Sequence, residues 1–135
     1  MGSIVLDSSV VIALLDPQDS HHKRCMKEFE HFKSLDKSSF FLSSITIAES
    51  LVGAFKKSYE YALEVFSRIS EDIGVLVSFN IESAWLTAKI RSSSQIGFAD
   101  AMIVATAEQL GAQLWTCDQK LLSKYKSVKY LGDLN

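Results

Sequence analysis

The feature that most constrains the fold is a repeated alternation of short apolar runs with longer amphipathic stretches. Five runs have the length and the apolar composition of buried strands. The segments between them place apolar residues at helical spacing. This alternation favours an α/β fold, in which helices cover both faces of a parallel sheet. The predicted strands are residues 3–6, 40–42, 74–79, 113–116 and 128–131.

The predicted helices begin and end at recognisable signals. Ser8 or Ser9 can cap a first helix that ends before Pro17, and Asp19 or Ser20 can cap a second. Residues 92–94 are expected to form a loop. The predicted helices cover residues 8–15, 21–34, 58–69, 81–91 and 98–110, the last stopped by Gly111, with one more starting at Ser44 and a short one before the final strand.

Length and composition indicate one domain. The chain has 135 residues, of which 47% are apolar and 22% charged, and this balance is typical of a soluble globular protein with one core. No linker rich in Gly, Ser or Pro divides it. We therefore expect a single domain spanning residues 1–135.

Membrane and secreted classes are disfavoured. The longest purely apolar run is residues 10–15, whereas a membrane-spanning helix needs about 20 residues, and the N-terminus has no secretory signal pattern. Cys25 and Cys117 are too few for a disulfide framework and lack zinc-ligand spacing. We expect a cytoplasmic protein with two reduced, mostly buried thiols and no membrane partner.

Four acidic residues stand out because they lie in apolar segments. Asp7 follows the first predicted strand and Asp118 follows the fourth, while Glu49 and Asp100 lie near the starts of apolar helices. A carboxylate in apolar surroundings is costly unless it is paired or binds a cation. None of these four segments contains a Lys or Arg that would pair with its acid.

Their placement predicts a cation site. The carboxyl ends of parallel strands line the ligand crevice of an α/β sheet, and Asp7 and Asp118 lie just beyond two such ends. Carboxylates gathered there would repel one another, and a hard divalent cation relieves that repulsion. The alternative is that each acid has a separate structural role: Asp7 and Asp118 as helix caps, and Asp100 as a first-turn acid favoured by the helix dipole.

Other chemistries fit less well. The three histidines, His21, His22 and His31, lie on one predicted helix, which leaves no base for a nucleophilic triad. No phosphate-binding loop occurs among the six glycines. A phosphoacceptor receiver domain would need paired acids after the first strand and a Lys after a later one, and neither is clear.

Four short motifs follow one another along the chain. They are Val5-Leu6-Asp7-Ser8-Ser9, Thr46-Ile47-Ala48-Glu49, Asp100-Ala101-Met102-Ile103-Val104-Ala105-Thr106-Ala107 and Thr116-Cys117-Asp118. In this order they resemble the PIN-domain nucleases and most of all their VapC-type toxin branch. The resemblance implies a five-stranded parallel sheet in the order 3-2-1-4-5. Two departures are the absence of a proline before the third acid and Lys120 where many toxins carry a further Asp.

The resemblance implies a metal-dependent endoribonuclease that hydrolyses RNA phosphodiester bonds with Mg²⁺ or Mn²⁺. Asp7 and Asp100 are the expected direct metal ligands, and Glu49 and Asp118 are further ligands or outer-shell groups. Ser8 and Thr116 are expected to orient a ligand or a metal-bound water. The alternative is a non-catalytic or weakly catalytic PIN module in RNA processing, assembly or regulation.

The resemblance also implies a VapB-like antitoxin, with a homodimer or a toxin–antitoxin hetero-oligomer as the assembly. Leu51, Phe55, Tyr59 and Trp85 are apolar candidates for such surfaces, although aromatic residues at helical spacing more often belong to the core. Candidate phosphate contacts are Lys56, Lys57, Lys89, Arg91, Lys120 and Lys124.

The net charge of -2 would ordinarily argue against a nucleic-acid partner. It counts all sixteen acids against fourteen bases. If the four acids of the predicted site are set aside, twelve acids face fourteen bases, a balance of +2. The acidic total therefore does not exclude RNA.

Overall fold

In a computed structural model of the chain, the structure describes residues 2–35 and 39–133. Within these residues, five parallel strands form one sheet: β1 (Ser3–Leu6), β2 (Ser39–Ser43), β3 (Val75–Val77), β4 (Gln113–Thr116) and β5 (Val128–Tyr130). Their order is β3-β2-β1-β4-β5. The predicted α/β class and the strand order implied by the resemblance are confirmed.

Helices lie against both faces of this sheet. Those of the described residues are α1 (Ser8–Leu15), α2 (His22–Lys33), α3 (Ser44–Lys57), α4 (Tyr59–Arg68), α5 (Ile81–Ser93) and α6 (Phe98–Leu110), with a π-helical turn at Ile69–Ile73 and a 3₁₀ turn at Gln119–Ser123. Gly111 ends α6 in the left-handed conformation (φ 59°), as predicted from its lack of a Cβ atom.

Several predicted element ends are wrong. The third strand covers only Val75–Val77, because the Phe79 amide donates to Ser44 Oγ and Asn80 then caps α5. Ser92 and Ser93 extend α5 instead of forming a loop.

Two predicted helix caps are also wrong. Asp7 caps α1 in place of Ser8 or Ser9. Asp19 accepts from the His21 amide (2.8 Å) in the turn that precedes α2, so it orders that turn and the helix itself begins at His22.

The core lies on both faces of the central strands. On one face, Trp115 of β4 is fully buried and packs edge-on against Phe32 and Phe40, at centroid distances of 5.3 and 5.4 Å. On the other face, Val5 and Leu114 pack with residues of α6. Since β1 and β4 are covered on both sides, their carboxyl ends hold fixed positions.

The surface of α3 differs from expectation. It turns small and polar residues (Thr46, Ser50 and Ala54) toward the interior, so larger residues lie outside. Phe55 is 54% exposed, and Tyr59 at the start of α4 is 64% exposed. The expectation that these aromatic residues belong to the core is therefore wrong.

The remaining apolar candidates behave differently from each other. Trp85 on α5 is 78% exposed, so the core interpretation is wrong for this residue as well. Leu51 of α3 is half-buried and packs against the core. Among the described residues, the helices include none long and apolar enough to cross a membrane.

Replacing Trp115 by alanine should lower the free energy of unfolding by about 3–5 kcal/mol, because it removes a fully buried indole and leaves a cavity. Urea denaturation followed by circular dichroism measures this loss. Trp85→Ala is the matched control and should change stability by less than about 0.5 kcal/mol, since that side chain is exposed. Equal losses in the two variants would contradict this placement of the core.

Candidate active site at the carboxyl edge of the sheet

Asp7 is the buried carboxylate at the end of β1, with 6% of its surface exposed. Its Oδ1 accepts a hydrogen bond from the Ser8 amide (2.9 Å). Its Oδ2 accepts from the Ser9 hydroxyl (2.9 Å) and from the Thr116 hydroxyl (2.8 Å). The side chain is therefore fixed jointly by the start of α1 and the end of β4.

Two hydroxyl groups extend this network to the loop after β4. Thr116 Oγ1 accepts from the Asp118 amide (2.9 Å), and Ser9 Oγ accepts from the Cys117 amide (3.0 Å). Each hydroxyl thus donates to Asp7 and accepts from the loop. Ser9 is a site residue that the sequence prediction missed, although its position two residues after Asp7 was a usable signal.

Asp118 lies on that loop and is half-buried. Its Oδ1 accepts from the Lys120 amide (2.9 Å), so the side chain caps the 3₁₀ turn. The Lys120 ammonium lies 3.8 Å from Asp118 Oδ2 in an exposed pair. Asp7 and Asp118 are both caps, as the structural alternative supposed, and both also lie at the switch point between β1 and β4.

Glu49 and Asp100 come to the same edge from two helices. Thr46 Oγ1 donates to the Leu6 carbonyl (3.3 Å), which holds the first turn of α3 beside the end of β1. Asp100 is half-buried in the first turn of α6, whose N-cap Gly97 offers no capping side chain. Glu49 is exposed at the rim, so the prediction that it lies in apolar surroundings is wrong, because α3 is open to solvent at that turn.

The charges of the four acids influence one another. Burial raises the pKa of Asp7 most, opposed by hydrogen bonds from Thr116, Ser9 and Ser8, with repulsion from Asp118 adding to the rise. Partial desolvation raises the pKa of Asp100, and repulsion from Asp7 and Asp118 raises it further, while Lys120 opposes the rise.

Glu49 shows the same pattern. Partial desolvation of its carboxyl group raises its pKa, as does repulsion from Asp7 and Asp100, while interaction with the Ser8 side chain lowers it. Ser8 therefore acts on two of the acids: its amide donates to Asp7 Oδ1, and its side chain lowers the pKa of Glu49. The four carboxylates form one electrostatic cluster, here named the acidic cluster.

The acidic cluster has a donor set that suits a hard divalent cation, which prefers carboxylate oxygens. Among residues 2–35 and 39–133, no three His, Cys, Asp or Glu side chains are gathered closely enough to hold one ion together. Desolvation, with mutual repulsion added to it, raises the pKa values of Asp7, Glu49 and Asp100, and a bound cation would offset both effects.

The hydrogen bonds to the Asp7 carboxylate leave one of its oxygens able to contact an ion. A carboxylate offers about four lone-pair positions, and three are taken by Ser8, Ser9 and Thr116. Both positions on Oδ2 are filled, while Oδ1 keeps one. Asp7 is thus suited to bind a cation through a single oxygen, Oδ1.

Two clefts flank the loop that carries Asp118. One of about 630 Å³ includes Ser9, Cys117, Asp118 and Tyr130 in its lining. The other, of about 330 Å³, includes Asp100. Lys120 lines both, so it lies on the ridge between them.

The candidate phosphate contacts are divided by the structure. Lys120 and Lys124 line the cleft that contains Asp100, and Arg91 stacks on Phe98, two residues before Asp100, at 5.2 Å. Lys89 lies beside Trp85 on α5, and Lys56 and Lys57 end α3. Of the candidate phosphate contacts, Lys120 and Lys124 therefore lie most directly beside the acidic cluster.

The two cysteines lie beside the site. Both are free, Cys25 buried in α2 and Cys117 half-buried after β4. Their sulfurs are 3.6 Å apart. Their hydrogen bond raises the pKa of the Cys25 thiol and lowers that of Cys117.

Comparison with known families agrees with the fold. The PIN domain family model matches residues 4–127. The chain therefore belongs to the PIN domain family. A comparison with curated protein sequences gave no match.

Solved structures of similar fold include toxin–antitoxin proteins. FitAcB from Neisseria gonorrhoeae is 25% identical, with a TM-score of 0.73 over 95% of this chain and 97% of that one. VapBC2 from Rickettsia felis, bound to a DNA fragment from its promoter, is 17% identical, with a TM-score of 0.76 over 95% and 98%. VapC20 from Mycobacterium tuberculosis, a Sarcin-Ricin loop cleaving toxin, is 15% identical, with a TM-score of 0.65 over 82% and 85%.

Asp100→Asn should stabilise the protein at pH 7 in the absence of divalent cations. Because the folded-state pKa of Asp100 lies above its ordinary value of 3.8, ionisation of this group costs stability as the pH rises through that pKa. The gain should therefore shrink as the pH is lowered toward 3.8.

Urea denaturation in EDTA across this pH range measures the effect. Asp72→Asn, the same change at an exposed residue of the π-helical turn, is the matched control. A gain from Asp72→Asn as large as that from Asp100→Asn would contradict the acidic cluster.

Proposed function

We propose that the chain is a divalent-metal-dependent endoribonuclease that acts as the toxin of a toxin–antitoxin pair. The observation that carries this proposal is the acidic cluster, in which the buried Asp7 is electrostatically coupled to Glu49, Asp100 and Asp118. Membership of the PIN domain family supports the nuclease class.

The residues divide into two roles. Asp7 Oδ1 and Asp100 would hold Mg²⁺ or Mn²⁺, with Glu49 and Asp118 as further ligands or outer-shell groups. When bound, the ion supplies an activated water and stabilises charge on the phosphate and the leaving oxygen. Thr116, Ser8 and Ser9 keep the carboxylates oriented through the hydrogen bonds described above.

RNA as the substrate is supported by the basic residues beside the cluster. Lys120 and Lys124 line the cleft at Asp100, where their ammonium groups are available to backbone phosphates. VapC20, one of the proteins of similar fold, is described as cleaving the Sarcin-Ricin loop. We expect products with 5′-phosphate and 3′-hydroxyl ends.

Asp7→Asn and Asp100→Asn should each reduce Mn²⁺-dependent cleavage of a structured RNA by at least about 100-fold. Outer-shell changes alone cost about 10- to 100-fold, and direct ligands should cost more. A gel assay of end-labelled RNA measures the rate and identifies the product ends. Asp72→Asn serves again as the control and should cleave like the wild type; undiminished cleavage by both site variants would refute the proposal.

An antitoxin partner is supported by an exposed apolar stripe on α3 and α4. The stripe consists of Val52, Phe55, Tyr59, Leu63 and Phe66, all at least 40% exposed, and the Phe55 and Tyr59 rings lie 6.2 Å apart. Exposed apolar patches commonly mark protein interfaces. Several proteins of similar fold were solved as toxin–antitoxin complexes, so a homodimer or hetero-oligomer is the proposed assembly.

Phe55→Ser combined with Tyr59→Ser should weaken binding of the antitoxin by more than about 30-fold, since truncating buried interface aromatics commonly costs about 2 kcal/mol or more. The probe is the product of any short reading frame found immediately beside the gene, titrated calorimetrically. Trp85→Ser, an exposed aromatic outside the stripe, is the control. Full binding by the double variant would contradict this surface.

The non-catalytic module remains the second candidate. The observation that favours it is the lack of three closely gathered ligand side chains in the described residues. The cleavage assay separates the two, because a module would give no Mn²⁺-dependent products in either the wild type or Asp72→Asn.

A further inference from the structure

The two cysteine sulfurs lie 3.6 Å apart, although Cys25 and Cys117 are 92 residues apart in the sequence. One is on α2, and the other lies between Thr116 and Asp118 on the loop of the acidic cluster. The proposed nuclease chemistry uses neither thiol. A disulfide requires the sulfurs to approach to about 2.05 Å, so this pair needs a closure of only about 1.6 Å.

Cys117 is accessible to a small oxidant. It lines the cleft of about 630 Å³ that also includes Asp118, whereas Cys25 is fully buried behind it. An oxidant in the cleft therefore reaches Cys117 first, and the buried Cys25 is the nearest thiol to resolve the oxidised sulfur.

The helix that carries Cys25 is held by more contacts than the loop that carries Cys117. Helix α2 is tied to the C-terminal segment by the hydrogen bond from Arg24 to the Gly132 carbonyl (2.8 Å) and by the Lys129–Glu28 ion pair (2.9 Å). Cys117 is held chiefly by the hydrogen bond that its backbone amide donates to Ser9 Oγ (3.0 Å). Closure of the pair should therefore move the loop and leave α2 in place.

We propose that Cys25 and Cys117 are an oxidative modification site whose disulfide displaces the loop carrying Asp118. With hydrogen peroxide as oxidant, peroxide first converts the Cys117 thiol to a sulfenic acid and releases one water. The Cys25 sulfur then attacks that sulfur, an S–S bond forms, and the second water leaves with the Cys25 proton. Two thiols are oxidised by two electrons and one peroxide is reduced to two waters.

A disulfide would disturb the hydrogen bonds that join the loop to the acidic cluster. A movement of Cys117 toward α2 would disturb the hydrogen bond from its amide to the Ser9 hydroxyl, which itself donates to Asp7. The adjacent bond from the Asp118 amide to Thr116 Oγ1 would be disturbed with it. Oxidation should thus loosen two of the groups that position the acidic cluster; its effect on cleavage rests on the proposed function, but the loop displacement does not.

The full chain is treated with hydrogen peroxide in EDTA. The number of free thiols is then counted, any disulfide is mapped by peptide mass spectrometry, and amide hydrogen exchange is measured. We expect both thiols to disappear together in the monomer, with a Cys25–Cys117 peptide that dithiothreitol removes. Exchange of the Cys117 and Asp118 amides should rise by about fivefold or more, the effect of losing about 1 kcal/mol of hydrogen bonding. Cys25→Ser is the matched control and should show neither the cross-linked peptide nor the faster exchange.

The disulfide and the loop displacement are tested without RNA, so their failure is distinguishable from failure of the nuclease proposal. Over-oxidation of Cys117 without a cross-link, or disulfides only between molecules, would overturn the modification site. A Cys25–Cys117 disulfide with unchanged exchange at Cys117 and Asp118 would overturn the displacement. If reduced protein cleaves RNA, oxidised wild type should cleave more slowly and recover with dithiothreitol; inactivity of the reduced protein would count against the nuclease alone.

Discussion

The burial of one carboxylate, Asp7, is the constraint on which the rest of this site depends. A charged group at 6% exposure is tolerated only if its oxygens are satisfied. The donors come from the start of α1 and from Thr116 at the end of β4. The carboxylate can be satisfied in this way only where β1 and β4 are neighbours, which is the switch point of the sheet.

This arrangement joins structural and chemical roles in the same groups. Asp7 caps α1 and Asp118 caps the 3₁₀ turn. The structural alternative, in which these two acids are helix caps, is therefore correct. Capping uses only part of each carboxylate, however, and Oδ1 of Asp7 keeps a free lone pair. The hydroxyl groups of Ser9 and Thr116 transmit the position of the loop to Asp7, which makes the loop's geometry a property of the whole site.

Periodicity predicted the α/β class well because strand and helix patterns are local, whereas the strand order came from the resemblance to the PIN-domain nucleases. It placed Asp7, Asp100 and Asp118 correctly relative to their elements for the same reason. It missed Ser9 because the hydrogen bond that this hydroxyl accepts from the Cys117 amide, on the loop after β4, has no local signature. It also placed Phe55, Tyr59 and Trp85 wrongly, since helical spacing does not tell which face of α3, α4 or α5 meets the rest of the protein. The closeness of Cys25 and Cys117 depends on how α2 packs, and no motif encodes that.

The proposed function depends on the role of the acidic cluster as a metal site, with Asp7 and Asp100 as the direct ligands. Calorimetric titration of the full chain with Mn²⁺, in two buffers of different ionisation enthalpy, tests it most directly. We expect binding that is lost in Asp7→Asn but kept in Asp72→Asn. Because the pKa values of Asp7, Glu49 and Asp100 are raised, the number of protons released on binding should increase as the pH is lowered. No binding by the wild type, or equal binding by Asp7→Asn, would contradict it.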